Sequence, residues 1–376
     1  MGKMPKWADV ILVPLSSTLL ALVVSGLVVL FIGENPMQAM TIMVRGAFGS
    51  AYDWGYTLYY TTNFIFTGLA VAVAFHARLF NIGGEGQAAL GGLGVAMVLL
   101  NIGWPHWSVA LVAAMCGAAL FGAAWAAVPA YLQARRGSHV VITTIMFNYI
   151  AAALLVYLLV NVFRVEGSMV PETARFSQTM HLPNAADFAG VLGFPPSTPL
   201  NVSFLIALLC ALGVWVLIWR TRLGYEIRAF GHSERAAIYA GIHPARIIMI
   251  AMLISGSLAG LMAINVVQGE AERLVLDFVE GAGFVGIAVA LMGRSHPVGV
   301  ILAALLFGAL YQGGAELQFD MPAISRDMVV VIQALVILFT GALDNMVRMP
   351  MERVFLSLKH QRAAAAQARS HPAGGA

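Results

Sequence analysis

Ten stretches of this chain are apolar for long enough to be read as helices crossing a bilayer. They are residues 11–33, 57–75, 85–101, 108–133, 139–163, 200–219, 245–267, 281–293, 297–314 and 327–343. Charges, or clusters of Gly, Pro and Asn, bound each of them, and those are the residue types that stop regular structure. The first run, at ~1.5 Å per residue, reaches roughly 34 Å, enough for a hydrocarbon core of ~30 Å. It is too long for the apolar core of a signal peptide, and no A-x-A cleavage pattern follows, so it reads as a retained anchor. The two short runs, 281–293 and 297–314, turn at Gly293-Arg294-Ser295-His296-Pro297 and predict a tight hairpin or a pair of half-helices. The pattern therefore predicts an all-α polytopic membrane protein with about ten transmembrane helices.

Composition agrees. The chain is 60% hydrophobic and 10% charged, where soluble domains carry about 25% charged residues. One membrane domain, 11–343, is expected between short ends at 1–10 and 344–376. With ten spans, sixteen of the 21 Lys and Arg fall on the side of both termini. The other side keeps Arg45, Arg164, Arg175, Arg273 and Arg326. The positive-inside rule then puts both termini in the cytoplasm of a bacterial inner membrane. The longest outer connection is 164–199. The outer face is acidic, with Glu166, Glu172, Asp187, Glu270, Glu272, Asp277, Glu280 and Glu316. That is either a solvated loop face or a docking surface for a basic patch on a soluble partner.

Several chemistries are excluded. The only lysines are Lys3, Lys6 and Lys359, so the membrane domain holds no P-loop and no Schiff-base lysine. No G-x-S-x-G elbow occurs. The histidines form no zinc pattern, and Cys116 and Cys210 lie in apolar runs as small buried packing residues. No cofactor or metal is expected, and the chain reads as non-catalytic. If ATP drives this protein, another subunit binds it. A proton- or sodium-coupled transporter would want acidic groups or His within the spans. Glu85, at the mouth of the 85–101 run, is the main candidate, and a membrane enzyme would want a polar cluster that is missing.

The remaining polar residues in the runs are few. Asn81, Glu85 and Gln87 flank Gly83, Gly84 and Gly86, a composition that breaks a helix and frees backbone groups. Glu85 is open to three readings: an anion at a helix N-terminus, a pin between spans, or a contact to cargo. Thr143, Thr144 and Asn148 recur on one helical face, as helix–helix glue or as pathway lining. Asn63, Thr67, Asn265 and Gln268 carry the same two readings. Gly256 and Gly260 permit close helix packing. In the connection 220–246, Ser233 is placed to cap a helix with Glu234 in its first turn, Gly241 to end it, and Pro244 to start the next span. A short capped helix on the cytoplasmic side suits docking to another protein.

Three motifs carry a resemblance. Arg228-Ala229-Phe230-Gly231, Ala236-Ala237 and Tyr239-Ala240-Gly241-Ile242, followed by Ser255-Gly256-Ser257-Leu258-Ala259-Gly260, resemble the coupling-helix region of ABC importer permeases. The superfamily is that of ribose, nucleoside and branched-chain amino acid permeases. Phe80-Asn81-Ile82-Gly83-Gly84-Glu85-Gly86-Gln87 and Thr143-Thr144-Ile145-Met146-Phe147-Asn148-Tyr149-Ile150 resemble its simple-sugar and nucleoside branch. The resemblance covers about 80–314. It implies a type II importer fold and a permease subunit that moves a small neutral polar solute, nucleosides first and ribose-like sugars second. It implies an ABC ATPase that grips Arg228, Gly231, Glu234, Ala236, Ala237 and Gly241. It also implies a second permease, with a heterodimer expected, and an extracytoplasmic binding protein or lipoprotein. Asn81, Glu85, Gln87, Thr144 and Asn148 become candidates for the translocation pathway. No nucleic-acid partner is implied.

Overall fold

The computed structural model describes residues 12–188, 193–339, 349–350 and 352. The segments expected at 1–10 and, beyond those three residues, 344–376 lie outside them. The fold is helical throughout: α1 Val13–Ile32, α2 Pro36–Phe48, α3 Ala51–His76, α4 Gly84–Asn101, α5 Trp107–Arg136, α6 Val140–Asn161, α7 Ala185–Phe188, α8 Ser203–Arg220, α9 Arg222–His232, α10 Glu234–Tyr239, α11 Pro244–Ala263, α12 Ala282–Met292, α13 Pro297–Asp320 and α14 Arg326–Ile337. Among the described residues there is no strand, only the isolated bridges Glu172–Val275 and Asn184–Asn201. Two compact units divide the chain, 1–42 with 317–376, and 43–316.

Seven of the described helices are long and apolar enough to cross a membrane: α1, α3, α5, α6, α8, α11 with its extension, and α13. The other three expected spans meet α4, α12 and α14. The first turn of α4 holds Glu85 and Gln87, which lowers its mean hydropathy. The helix α12 is 11 residues long, about 16 Å, too short to cross alone. One expectation needs correction. α13 runs 24 residues, well past 314, because nothing after Pro297 breaks the helix before Asp320. The connection after the first run holds a further helix, α2, entered at Pro36, where Asn35 accepts from the N–H of Met37 at 2.9 Å.

In the 43–316 unit, α11 packs on α5, α4 and α3, and α12 packs on α3. Glycine makes the first of these contacts close. A methyl group at Gly91 of α4 would land about 2.5 Å from the Gly260 main chain of α11. One at Gly122 of α5 would run into the Gly256 carbonyl of α11. The Gly256–Gly260 reading is therefore borne out as main-chain contact, with van der Waals packing as the driving force in lipid. Where the helix faces outward, α6 is the most exposed of the candidate spans. Cys116 is exposed and Cys210 half-buried, both free, contrary to the buried packing role expected. Apolar runs that face lipid carry no sequence mark that separates them from runs that face protein.

Candidate translocation site and coupling elbow

The chain around Gly83 is not helical, and its free backbone groups are taken up by the side chains of Asn81, within the break, and of Asn148, from α6. Asn81 Oδ1 accepts from the Gly83 N–H at 2.9 Å and from Gln87 Nε2 at 3.2 Å. Asn81 Nδ2 donates to Gln87 Oε1 at 2.9 Å and to Ser255 Oγ at 2.8 Å. Ser255 in turn donates to the Ala70 carbonyl at 2.6 Å. From α6, Asn148 donates to the Ile82 carbonyl and accepts from the Gly86 N–H, both at 2.9 Å. Thr144 is buried one turn away, its hydroxyl bonded to Val140 O of its own helix at 2.8 Å, and it packs beneath Gly83. The structure thus brings together Asn81, Glu85, Gln87, Thr144 and Asn148. Irregular backbone at this depth is tolerated because its polar groups are satisfied within the protein.

Glu85 reaches across to a different helix. Its two carboxylate oxygens accept from the N–H groups of Gly281 and Gly283, each at 2.9 Å. These belong to the start of α12, whose cap Gly281 sits at φ 78°, a left-handed conformation that favours glycine. Gly283 packs on the Gly84–Glu85 main chain, so the starts of α4 and α12 meet with one carboxylate between them. Two positive helix ends converge there on one negative group, a favourable electrostatic arrangement. Of the three readings of Glu85, this geometry describes an inter-helix pin made through a helix N-terminus.

A second polar network lies further along α3. Asn265, in the π-helical continuation Ile264–Glu270 of α11, donates to Asn63 Oδ1 at 2.8 Å and to the Tyr59 carbonyl at 3.1 Å. Its own Oδ1 accepts from Ser203 Oγ at 2.7 Å and Asn201 Nδ2 at 3.0 Å. Gln268 donates to the Met180 carbonyl at 3.0 Å and so ties the 164–199 connection down. Thr67 bonds within its own helix, to the Asn63 carbonyl at 3.1 Å. Sequence reasoning missed Asn201 and Ser203, and noted Ser255 within a motif without its bonding role; single small polar residues in apolar runs give no hint of their partners. The acidic loop face is partly paired, through Arg273–Glu172 at 2.8 Å and His181–Glu272 at 2.9 Å.

Two cavities of about 280 Å³ each flank the segment Leu276–Val279. One is lined by Glu85, Asn148, Ala152 and Leu155, the other by Tyr59, Tyr60, Asn63 and Tyr311.

At the His76 end of α3, the connection 220–246 forms an elbow of two helices rather than the one expected. Thr221 caps α9 by accepting from the Gly224 N–H at 3.1 Å, and Ser233 caps α10 by accepting from Ala236 N at 3.3 Å. Gly241, at φ 80°, closes α10, and Pro244 opens α11, as the sequence predicts. The candidate coupling residues divide. Glu234, Ala236 and Gly241 are exposed on α10, together with Ile238 and with Tyr239, which is 94% exposed. Gly231 and Ala237 are buried and Arg228 is half-buried. Gly231 abuts the His76 carbonyl so closely that no side chain fits there. A substitution at Gly231 therefore probes the fold and not the outward face.

The described residues form an all-helical, multi-pass arrangement with an exposed capped elbow and a polar break inside its helix core, which suits a transporter subunit of the permease class. The family described as branched-chain amino acid transport system / permease component matches residues 55–341, and the chain belongs to it. A glucose ABC transporter permease of Haloferax volcanii is 34% identical over 87% of this chain and 86% of its own length. A guanosine ABC transporter permease of Bacillus subtilis is 34% identical over 88% and 93%. A nucleoside ABC transporter permease of Lactococcus lactis is 32% identical over 88% and 90%. A second guanosine permease of the same Bacillus, 27% identical over 67% of this chain and 78% of its own, is also similar.

Proposed function

We propose that this ABC importer permease subunit carries a small, neutral, polar solute, and that nucleosides are its cargo. The observation that carries the reading is the polar break at residues 81–87. Its amides, the Ser255 hydroxyl and the Asn148 amide beside them, and the one carboxylate are all paired within the protein, so the break holds no unpaired charge that would favour ionic cargo. Three of the relatives above are named for nucleosides or guanosine. The one named for glucose favours a second reading, a simple sugar.

The mechanism follows from the two ends of α3. ATP hydrolysis lies in a separate ATPase subunit that docks on α10 through Glu234, Ala236, Ile238, Tyr239 and Gly241. Arg228, Gly231 and Ala237 seat the elbow on the membrane helices behind it. Both termini face the cytoplasm, and the 164–199 connection faces a binding protein or lipoprotein. A second permease completes the pathway. Similarity to two guanosine permeases of one organism supports two unlike chains. Asn81, Glu85, Gln87, Thr144 and Asn148 border the route, which alternates between outward and inward openings as a two-state change that ATP biases.

The test is a mild-detergent pull-down of the tagged chain, followed by uptake of labelled guanosine and glucose by the recovered complex in proteoliposomes. A P-loop ATPase and a different permease in the complex, with ATP-dependent guanosine uptake that excess glucose leaves unchanged, are expected. Glucose uptake without guanosine uptake overturns the nucleoside assignment.

A further inference from the structure

The cavity on the Tyr59 side of Leu276–Val279 is built unlike its neighbour. Its inner wall is a run of rings: Tyr60 and Tyr311 with centroids 5.6 Å apart, then Tyr311 and Phe64 at 4.9 Å, edge to face. Phe278 closes it from the strap of residues 271–281, between the π-helical continuation of α11 and α12, and Asn63 supplies an amide beside the rings. The rim is different in kind. Glu270, Asp277 and Glu280 line it, and all three are exposed. The Tyr59 hydroxyl donates to the Glu270 carboxylate, which orients that group.

The strap is held under strain. Glu272, Asp277 and Glu280 are non-glycine residues at φ 55°, 55° and 48°, a conformation that persists only where the surroundings enforce it. Glu85 enforces it at Gly281 and Gly283, and Arg273–Glu172 with Leu274 N–H to Thr173 Oγ1 at 3.0 Å enforce it at the other end.

We propose that this cavity is a cargo site for a planar heterocycle bearing a hydroxyl-rich sugar, the base inside against the rings and the sugar at the carboxylate rim. This rests on the nucleoside reading above and deepens it. A volume of about 280 Å³ matches the small end of ligand pockets, about 300 Å³. Every base has a π-face that stacks on tyrosine, and sugar hydroxyls donate to carboxylates in charge-assisted bonds. A bare hexose can lay a C–H face on the rings, but it carries hydroxyls around its whole edge. Some would be pressed on Phe64 and Phe278 without a partner, a costly burial.

The test is photolabelling of the complete purified transporter with 8-azidoguanosine, with peptide mapping of the adducts. Adducts within 59–64, 276–280 or 307–311, suppressed by guanosine and not by glucose or choline, are expected. The Tyr60→Ala variant should lose labelling by about tenfold, the size of one lost stacking contact, while Tyr60→Phe keeps it within about twofold, since the ring remains. Both variants are compared at equal melting temperature, and the Phe variant controls for folding. Guanosine uptake with adducts only elsewhere overturns the cavity assignment and leaves the nucleoside reading intact. Suppression by choline equal to that by guanosine overturns it in favour of a cation. Absence of guanosine uptake, with glucose uptake present, removes the reading on which it rests.

Discussion

The Asn81–Gln87 break and the Tyr60–Tyr311 cavity are both polar regions among apolar helices, and they solve opposite problems. In the first, every amide is spent on a neighbour: Asn81 on Gln87, Gly83 and Ser255, and Asn148 on two backbone groups. In the second, bulky rings hold space open and the carboxylates line its rim. Side-chain hydrogen bonds between membrane helices average only about 0.6 kcal/mol. The first network thus specifies one arrangement of helices more than it adds net stability, while the second encloses space for a guest.

That contrast is most severely tested where the helices touch through main chain. Gly122→Val puts a side chain into the Gly256 carbonyl and the Gly260 backbone. Overpacking with nowhere to yield costs about 1–3 kcal/mol or more, and the expected result is loss of the monodisperse peak in fluorescence-detected size-exclusion chromatography. An unchanged peak would mean that α5 and α11 do not meet there. Next comes Asn148→Leu. It strands the Ile82 carbonyl and the Gly86 N–H, at about 1–3 kcal/mol for each buried group left unpaired. The melting temperature of the detergent-solubilised protein should fall by several degrees, and by clearly more than in Tyr60→Phe. Equal losses from the two would erase the distinction between a locked and an open polar region.

Glu85 sits between these extremes. Glu85→Gln keeps one acceptor of two and should cost less stability than Glu85→Ala, about 1 kcal/mol against 2 or more, read as the order of the two melting temperatures. The reverse order would remove the pin at Gly281 and Gly283. The smallest effect on stability belongs to Ala236→Glu, on the exposed face of α10. Its melting temperature should match the parent, yet substrate-stimulated ATPase activity of the assembled transporter should be lost. Full activity would move the docking surface elsewhere.

Much of this was legible from the chain. The caps Ser233, Gly241 and Pro244 each act through a local rule, so they are read without knowing the fold. Gly256 and Gly260 are visible as a spacing. The clustering of Glu85 with its glycines marked a break, but its partner α12 lies nearly two hundred residues on, and no local rule links Glu85 to Gly281. The same distance hid the cavity: Tyr60 and Tyr311 meet only once α3 and α13 are assembled. The second helix of the elbow went unseen because α9 is amphipathic and charged, and its cap Thr221 sits between two arginines that look like an ordinary loop.

The contact between Gly231 and the His76 carbonyl has a mechanical meaning. It is main chain against main chain, with no rotamer to turn and no methylene to bend, so the joint has no play. From His76 to Tyr60 along α3 is roughly 24 Å at ~1.5 Å per residue, uninterrupted by proline. A displacement of the elbow toward α3 cannot be cushioned where it enters. It must travel the length of the helix as a rigid rod moves, or the joint must part.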